Sequence, residues 1–271
     1  GLVSFTPDGK TMYFSRESYF EKDYQRDSLS SARFSQLYLY KATKLGSDWD
    51  TVESTGVNSY NYSVKNPSVS SDGKTSYCSS NKPWGYGDFD IYKASINPDG
   101  TLGEPQNLGQ KVNTESQEMF PYISSNNTLY FSSNGHLGLG GMDVFYTREI
   151  DGKMAPIRNV GIPINSNADD FAFSIDEESA EGFVSSNRDG GKGSDDVYAF
   201  KKLQPLCDVL ISATVLDDKT REPLSGASVT LYDADGNKVV SKTTNAEGIA
   251  EFIVECEEDS ELEVVTEGFD S

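Results

Sequence analysis

The feature that most constrains the fold is a repeat with a fixed period. The tripeptide Ser-Ser-Asn occurs at 79–81, 132–134 and 185–187, so both steps are 53 residues. Further markers keep the same spacing, namely Gly85, Gly138 and Gly191 in glycine-rich loops, then Asp90, Asp143 and Asp196 at the start of aromatic strands. Because independent markers share one period, the chain is built from copies of one supersecondary unit.

Each unit contains the signals of four short strands. An Asp-Gly or Asn-Asn pair marks a tight turn, as at 72–73 and 126–127, and an aromatic strand, a glycine-rich loop and an Asp-led strand follow. A first unit, without the glycine loop, begins at Val3. Four strands in about 40 to 50 residues predict a β-propeller blade. Four blades are visible, and since the fourth ends after its Asp-led strand, we expect an incomplete ring.

The composition changes near residue 204. Residues 1–203 contain 27 acidic and 19 basic side chains, whereas residues 204–271 contain 16 and 4. Apolar residues then alternate along short runs such as 209–215 and 249–254, with Gly236 and Gly248 at the turns. We therefore predict two all-β domains, propeller blades at 1–203 and a small β-sandwich at 204–271.

The repeats resemble the TolB-type, WD40-like (PD40) propeller family, whose pattern is a Ser-Pro-Asp-Gly-Lys turn, an aromatic strand, Ser-Ser-Asn-Arg, a glycine-rich loop and Asp-Ile-Tyr. Residues 6–10 and 185–188 match that pattern most closely. Two departures are the missing glycine loop of the first unit, replaced by residues 18–35, and the loss of the Asp-Gly turn at 176–178. The resemblance implies a propeller without assigning an activity.

The second domain is similar to carboxypeptidase regulatory-like, transthyretin-type sandwiches, through motifs at 214–215, 223–224, 227–231, 245–248 and 267–269. A propeller followed by such a sandwich resembles Bacteroidetes envelope proteins of the OmpA family, including the periplasmic peptidoglycan-binding subunit of the type IX secretion system. This implies a noncatalytic scaffold in the periplasm, associated with the outer membrane. Its partners would be other envelope proteins, and it would reach peptidoglycan only through a domain outside this sequence.

Charge and hydropathy exclude several other roles. The chain has 23 Lys and Arg against 43 Asp and Glu, a net charge of −20, which is the wrong sign for binding nucleic acid or an anionic membrane surface. No apolar run approaches the roughly 20 residues that span a bilayer. No charged-then-apolar segment opens the sequence as a signal peptide would, so we expect any export signal or anchor to lie outside it.

The residues give little sign of catalysis, cofactors or metals. The glycine loops precede strands, so they lack the helix dipole of a phosphate-binding loop, and we expect glycine to serve turns at positive φ. His136 is the only histidine, and without GxSxG or HExxH motifs we expect an exposed loop residue and no enzyme. The repeat aspartates could bind calcium, but acceptance of hydrogen bonds from loop amides is favoured. A solvated strand is likewise favoured for the acidic run 255–263.

Three functions remain open on the sequence: an envelope scaffold, a carbohydrate or small-ligand propeller, and a hydrolase. For the scaffold, the insertion 19–33 and two glycine loops offer aromatic anchors on one rim. The predicted partner-binding residues are Tyr19, Phe20, Tyr24, Trp84, Tyr86 and His136. The alternative is that the aromatic side chains of the insertion cover the edge of the first blade.

One disulfide is predicted, between Cys207 and Cys256. Cys207 opens the first strand of the sandwich and Cys256 closes the third or fourth, so we expect the two to meet across its layers and to crosslink a domain of marginal size. Cys78 should remain a buried thiol in an aromatic strand. Thiol titration under denaturing, nonreducing conditions should therefore count a single free thiol. Three free thiols would exclude the bridge.

Overall fold

The computed structural model describes residues 2–26, 33–150, 153–203, 208–233, 236–255 and 260–266. Its regular structure is β-strand, apart from one 3₁₀ turn at Ser18–Glu21, so the all-β prediction is confirmed. The chain divides into two compact units, Gly1–Leu203 and Gln204–Ser271. No helix in the described ranges has the length and apolarity needed to cross a bilayer.

The first unit opens with two four-stranded antiparallel sheets. The strands of the first sheet and of a hairpin inserted in it are β1 (Val3–Phe5), β2 (Thr11–Glu17), β3 (Gln25–Arg26), β4 (Arg33–Phe34), β5 (Leu37–Leu45) and β6 (Asp48–Ser54). Their order is β1-β2-β5-β6, while β3 pairs with β4. The strands of the second sheet are β7 (Val64–Val69), β8 (Thr75–Ser80), β9 (Asp90–Ser95) and β10 (Gln106–Asn107), in sequential order from inside to outside.

Two further antiparallel sheets follow. The strands of the third are β11 (Glu118–Ile123), β12 (Thr128–Ser133), β13 (Asp143–Ile150), β14 (Lys153–Met154) and β15 (Arg158–Asn159), with β14 and β15 both paired to β13. The fourth sheet contains β16 (Asp170–Asp176), β17 (Glu181–Ser186) and β18 (Asp196–Lys201). It is three-stranded among the described residues, as expected from a fourth unit that ends at its Asp-led strand.

The four sheets stack in chain order as propeller blades do. The first strands of consecutive sheets lie side by side, β1 with β7, β7 with β11 and β11 with β16. The core therefore lies between blades: Tyr13 and Leu39 of the first pack with Cys78 and Tyr92 of the second. Between the third and fourth, Tyr130 stacks on Phe173 with ring centroids 4.5 Å apart.

Cys78 occupies the centre of the first interblade core. It is buried and unpaired, so the prediction of a buried thiol is confirmed. Burial raises the pKa of its thiol to about 12, because the thiolate would lose its hydration there. At neutral pH this cysteine is therefore an unreactive apolar group.

A β-bulge interrupts the first strand of the second, third and fourth sheets. The pairing with the neighbouring strand shifts between Lys65 and Ser68, between Met119 and Tyr122, and between Phe171 and Ser174. At each bulge one residue has a positive φ, with values of 55°, 53° and 52° at Asn66, Phe120 and Ala172. Bulges re-aim side chains, and here they do so on the strands that line the propeller axis.

The second unit contains two antiparallel sheets around one core. Its strands are β19 (Asp208–Thr214), β20 (Ser228–Tyr232), β21 (Lys238–Thr243), β22 (Ile249–Glu255) and β23 (Glu261–Val265). β19 pairs with β22, and β20 lies between β21 and β23. Val229 and Leu231 of one sheet pack with Ala250 and Phe252 of the other. Glu261 and Glu263 alternate outward on β23, as expected of a solvated strand.

The predicted disulfide residues, Cys207 and Cys256, lie outside the described residues. Their sequence neighbours Asp208 and Glu255 are direct partners at the end of the β19–β22 pair. The sequence analysis expected a link between the two layers of the sandwich, whereas this register pairs the flanking residues within one sheet. The disulfide itself stays a prediction.

Candidate functional site: the glycine-loop rim

The strand connections of the propeller unit lie on two rims. In the second blade, the loop 81–89 between β8 and β9 ends beside the start of β11, where Glu118 N–H donates to the Phe89 carbonyl over 2.7 Å. In the third, Asp170 N–H donates to the Met142 carbonyl over 2.6 Å. The connections between second and third strands therefore share one side with the connections between blades. We call this side the glycine-loop rim, and the side of the turns between first and second strands the opposite rim.

The repeat aspartates hold the glycine loops closed. Asp90 accepts hydrogen bonds from the amides of Tyr86 at 2.7 Å and Gly87 at 3.1 Å. The equivalent bonds reach Asp143 from Leu139 and Gly140, and Asp196 from Lys192 and Gly193. Each carboxylate therefore serves the backbone of its own blade, which is the structural role that the sequence analysis favoured over calcium binding.

The loop glycines are needed for a different reason from the one expected. Gly85, Gly138 and Gly191 do not have positive φ, so the prediction of turn geometry is wrong for them. A Cβ at these positions would lie 2.2, 2.0 and 2.1 Å from an oxygen of the repeat aspartate. Close approach of a carboxylate, rather than backbone freedom, excludes a side chain.

An asparagine in each connection between blades was missed by the sequence analysis. The Asn113 side chain accepts from the Ile91 amide at 2.8 Å and donates to the Ile91 carbonyl at 3.0 Å. Asn165 does the same with Val144. Because a primary amide carries both donor and acceptor, it imitates a paired strand at a position where β10 or β15 has ended. We call this contact the asparagine clamp.

The clamp has a sequence signal that period analysis could have found. Asn58 makes the same pair of bonds with Leu39, over 2.7 and 2.9 Å. All three asparagines follow Val or Ile and precede Ser or Thr, in 57–59, 112–114 and 164–166. The steps between these asparagines are 55 and 52 residues. Because neither equals the 53-residue period of the repeat, a search for strict spacing does not find them.

Exposed apolar side chains collect on the glycine-loop rim. Those in its described connections are Tyr19, Phe20, Phe34, Tyr60, Trp84, Tyr86, Leu137, Leu139 and Ile162. Trp84 and Leu137 occupy equivalent repeat positions, as do Tyr86 and Leu139. The turns between first and second strands, all in the described part of the chain, hold no exposed large apolar side chain, whereas Leu45 and Trp49 are exposed beside the β5–β6 turn on that same side. Exposed apolar side chains are therefore more numerous on the glycine-loop rim, which is the candidate site.

Trp84 is the most unusual residue of this rim. Its side chain is completely exposed, and its φ is 72°. The equivalent residue of the fourth blade is Gly190, with φ 93°. A left-handed backbone costs a nonglycine residue about 1–2 kcal/mol. Among the described residues the fully exposed Trp84 side chain has no packing that offsets that cost.

The insertion in the first blade places its aromatic side chains against one another. The Tyr19 ring lies 6.4 Å from Phe20 and 5.7 Å from Tyr24, between centroids. The Arg16 guanidinium lies 5.3 Å from the Phe20 ring and 4.6 Å from that of Tyr40. Tyr19 and Phe20 nevertheless remain exposed, whereas Tyr24 is half-buried. They therefore cover part of the blade edge and still present apolar surface.

His136 is not the exposed loop residue that the sequence analysis expected. It is half-buried, its Nε2 lies 2.8 Å from the Val112 carbonyl oxygen, and its ring packs 5.2 Å from Phe145. A loop that folds back onto the interblade core encloses the ring. His136 thus positions the loop that carries Leu137 and Leu139.

A cavity of about 360 Å³ opens between the third and fourth blades. Four apolar side chains, Met119, Phe120, Met142 and Phe171, line it together with Gln117, Asn134, Gly141 and Asp169. Phe120 and Phe171 pack with centroids 5.1 Å apart. Because Gly141 and Met142 also end a glycine loop, the cavity belongs to the same rim.

The described residues include no group of three or more His, Cys, Asp or Glu placed to hold a metal ion. The three carboxylates of the repeat are instead engaged by loop amides.

Comparison with known proteins finds similar folds and no similar sequence. No protein-family model matches the chain, and no curated protein matches it. TolB from Acinetobacter baumannii is 12% identical, with 96% of this chain aligned to 55% of that one and a TM-score of 0.46. A protein from Agrobacterium tumefaciens described as TolB is 16% identical, with coverages of 93% and 73% and a TM-score of 0.45.

An enzyme shows a similar degree of likeness. An α-L-arabinofuranosidase from Lactobacillus brevis is 14% identical, with coverages of 72% and 70% and a TM-score of 0.43. This chain spans about half the length of the Acinetobacter TolB. Similarity at this level does not assign an activity, so the function has to be argued from the surface itself.

The close approach of glycine and aspartate can be tested within one loop. We expect Gly191→Ala to lower the free energy of unfolding by about 2–3 kcal/mol, because its Cβ displaces the Asp196 carboxylate from two amides. In an Asp196→Ala background that penalty should shrink by at least about 1 kcal/mol. Urea unfolding followed by tryptophan fluorescence reports this unit alone, since Trp49 and Trp84 both lie in it.

Gly190→Ala is the matched control. A Cβ added at Gly190 would have no neighbour within 4 Å, so Gly190→Ala should lower the free energy of unfolding through backbone strain alone. This loss should be the same with and without the Asp196 side chain. Equal coupling of both glycines to Asp196 would contradict the steric explanation.

Proposed function

We propose that the propeller unit is a noncatalytic protein-binding module whose contact surface is the glycine-loop rim. The observation that carries this proposal is Trp84, which is exposed and held in a left-handed conformation. Strain of this kind is typical of functional positions. Tryptophan is also the residue type most enriched among binding hot spots.

The surroundings of Trp84 support a protein partner. Leu137 and Leu139 repeat the exposed apolar positions on the next blade, and the apolar cavity between the third and fourth blades lies on the same rim. The loops that present these residues are fixed by Asp90 and Asp143. An apolar surface on a rigid support loses little conformational entropy when a partner binds.

The setting we propose is the bacterial envelope. The resemblance of the repeats and of the second unit to OmpA-family envelope proteins supports a location in the periplasm, associated with the outer membrane. There the module would bind other envelope proteins in a secretion or cell-wall-anchoring assembly, and would reach peptidoglycan through a domain outside this sequence. The net charge of −20 disfavours nucleic acid as a partner.

Catalysis and sugar binding receive less support from the same surface. His136, the natural general base, is engaged with the Val112 carbonyl and the interblade core. The rim cavity is lined by Met119, Phe120, Met142 and Phe171, whereas a sugar site needs convergent polar groups that fix hydroxyls. Binding on a glycan array would reverse this preference.

Replacing Trp84 separates function from stability. We expect Trp84→Gly to leave the melting temperature unchanged or to raise the free energy of unfolding by up to about 1 kcal/mol, because glycine relieves the left-handed strain. The same change should reduce partner binding at least about tenfold, as loss of a hot-spot aromatic does. A structural tryptophan would give the opposite stability result, with a loss of several kcal/mol.

The partner surface can be mapped in intact cells. A photo-crosslinking amino acid placed at Leu137 should capture an envelope protein, because this position faces outward on the proposed rim. The control is the same amino acid at Ser125, on the opposite rim. Equal capture at both positions, or capture at Leu137 that survives Trp84→Gly, would count against the rim as the binding surface.

A further inference from the structure

The cavity between the third and fourth blades combines apolar walls with one carboxylate. Its walls include the thioether of Met119 and the rings of Phe120 and Phe171, and Asp169 also lines it. Among the described residues that line the cavity, no side chain carries a positive charge. The charge of Asp169 therefore has no basic counterpart within the cavity.

The Asp169 carboxylate is held in place by its neighbours. Its Oδ1 accepts the Met142 N–H at 2.9 Å, and its Oδ2 accepts the side-chain amide of Asn187 at 2.9 Å. Gly141 leaves the space that the carboxylate occupies, since a Cβ there would lie 2.3 Å from Asp169 Oδ1. Each carboxylate oxygen has a second lone pair, so both oxygens can still accept a hydrogen bond from a cation.

The equivalent position between the second and third blades holds a cation from the chain itself. Lys65 is the repeat equivalent of Met119, since each pairs with the first serine of a Ser-Ser-Asn tripeptide. Phe89 is the equivalent of Met142, since each precedes a repeat aspartate. The Lys65 ammonium lies 3.7 Å from the centroid of the Phe89 ring, and the acidic residue Asp88 precedes that ring in the chain. Between the third and fourth blades Met119 brings no charge, although aromatic rings and a carboxylate are both present.

We infer that the cavity receives an arginine side chain of the partner protein, with its guanidinium at Asp169. The aliphatic stem of arginine packs on apolar surface while its charged head reaches a polar group. A planar guanidinium also stacks on aromatic faces and pairs with carboxylates, so Phe120, Phe171 and Asp169 suit it better than they suit an ammonium group. This inference rests on the proposed function of the glycine-loop rim and names the partner side chain that the rim selects.

Methionine methyl groups report binding in this cavity. The chain has four methionines, and two of them, Met119 and Met142, line the cavity. In protein labelled with ¹³C at these methyl groups, the peptide acetyl-Gly-Arg-Gly-amide should shift the NMR signals of Met119 and Met142 with a dissociation constant of about 1–10 mM. The signals of Met12 and Met154 should not move. The same peptide with citrulline, which has the shape of arginine and no charge, should bind at least about tenfold more weakly.

Two charge variants of the protein form a matched pair. Asp169→Asn removes the charge and keeps an oxygen for the Met142 amide, so it should reduce the affinity for the arginine peptide to that for the citrulline peptide. Asp189→Asn removes the same charge from an exposed residue of the glycine-loop rim that does not line the cavity, and it should change the affinity by less than about twofold.

Three results would overturn the inference: no shift of Met119 and Met142 with the arginine peptide, equal binding of both peptides, or equal weakening by both protein variants. If Asp169→Asn does not fold, the two peptides decide with the unaltered chain. Photo-crosslinking at Leu137 does not depend on this cavity, so a negative result here and a failure of the rim as a protein-binding surface remain distinguishable.

Discussion

The propeller unit depends on side-chain amides and carboxylates that complete the hydrogen bonding of its backbone. Short strands and long loops leave many buried N–H and C=O groups without a strand neighbour, and each unpaired group would cost about 1–3 kcal/mol. Asp90, Asp143 and Asp196 satisfy the loop amides, and the asparagine clamps satisfy the third strands. The apolar cores between blades can form only because these polar groups are paired.

Because the aspartates hold the glycine loops through backbone amides, the side chains at the loop tips are not needed to keep the loops folded. Since the backbone of a glycine loop is held by the aspartate within its own blade, the residues at its tip need not pack to keep the loop in place. Trp84 and Leu137 are accordingly exposed on loops whose shape is already fixed. The opposite rim uses self-contained turns instead: in one of them Asp72 accepts from Ser70 Oγ and Lys74 N–H, which holds the pKa of its carboxyl below the ordinary value.

The repeat in the sequence was sufficient to predict the blades, the role of the aspartates and the burial of Cys78, because each follows from the position of a residue in the repeated pattern. It failed where a contact depends on how a loop folds against its surroundings. The need for Gly85 arises from the position of Asp90, and the asparagine clamp joins Asn113 to Ile91, 22 residues earlier. His136 was placed in solvent because its contacts with Val112 and Phe145 follow from loop folding rather than from local pattern.

Trp84 and Phe120, two aromatic residues of the propeller unit, both have a left-handed backbone conformation. They differ in whether contacts within the chain offset the strain of that conformation. Phe120, at φ 53°, lies at a bulge and packs on Phe171 with centroids 5.1 Å apart, so a ring contact offsets the cost of its conformation. Trp84, at φ 72°, is exposed, and the fourth blade shows with Gly190 that the loop closes without a side chain there. The folded chain alone gains no stability from tryptophan at this position. We therefore propose that the contribution of Trp84 lies in a contact with a partner.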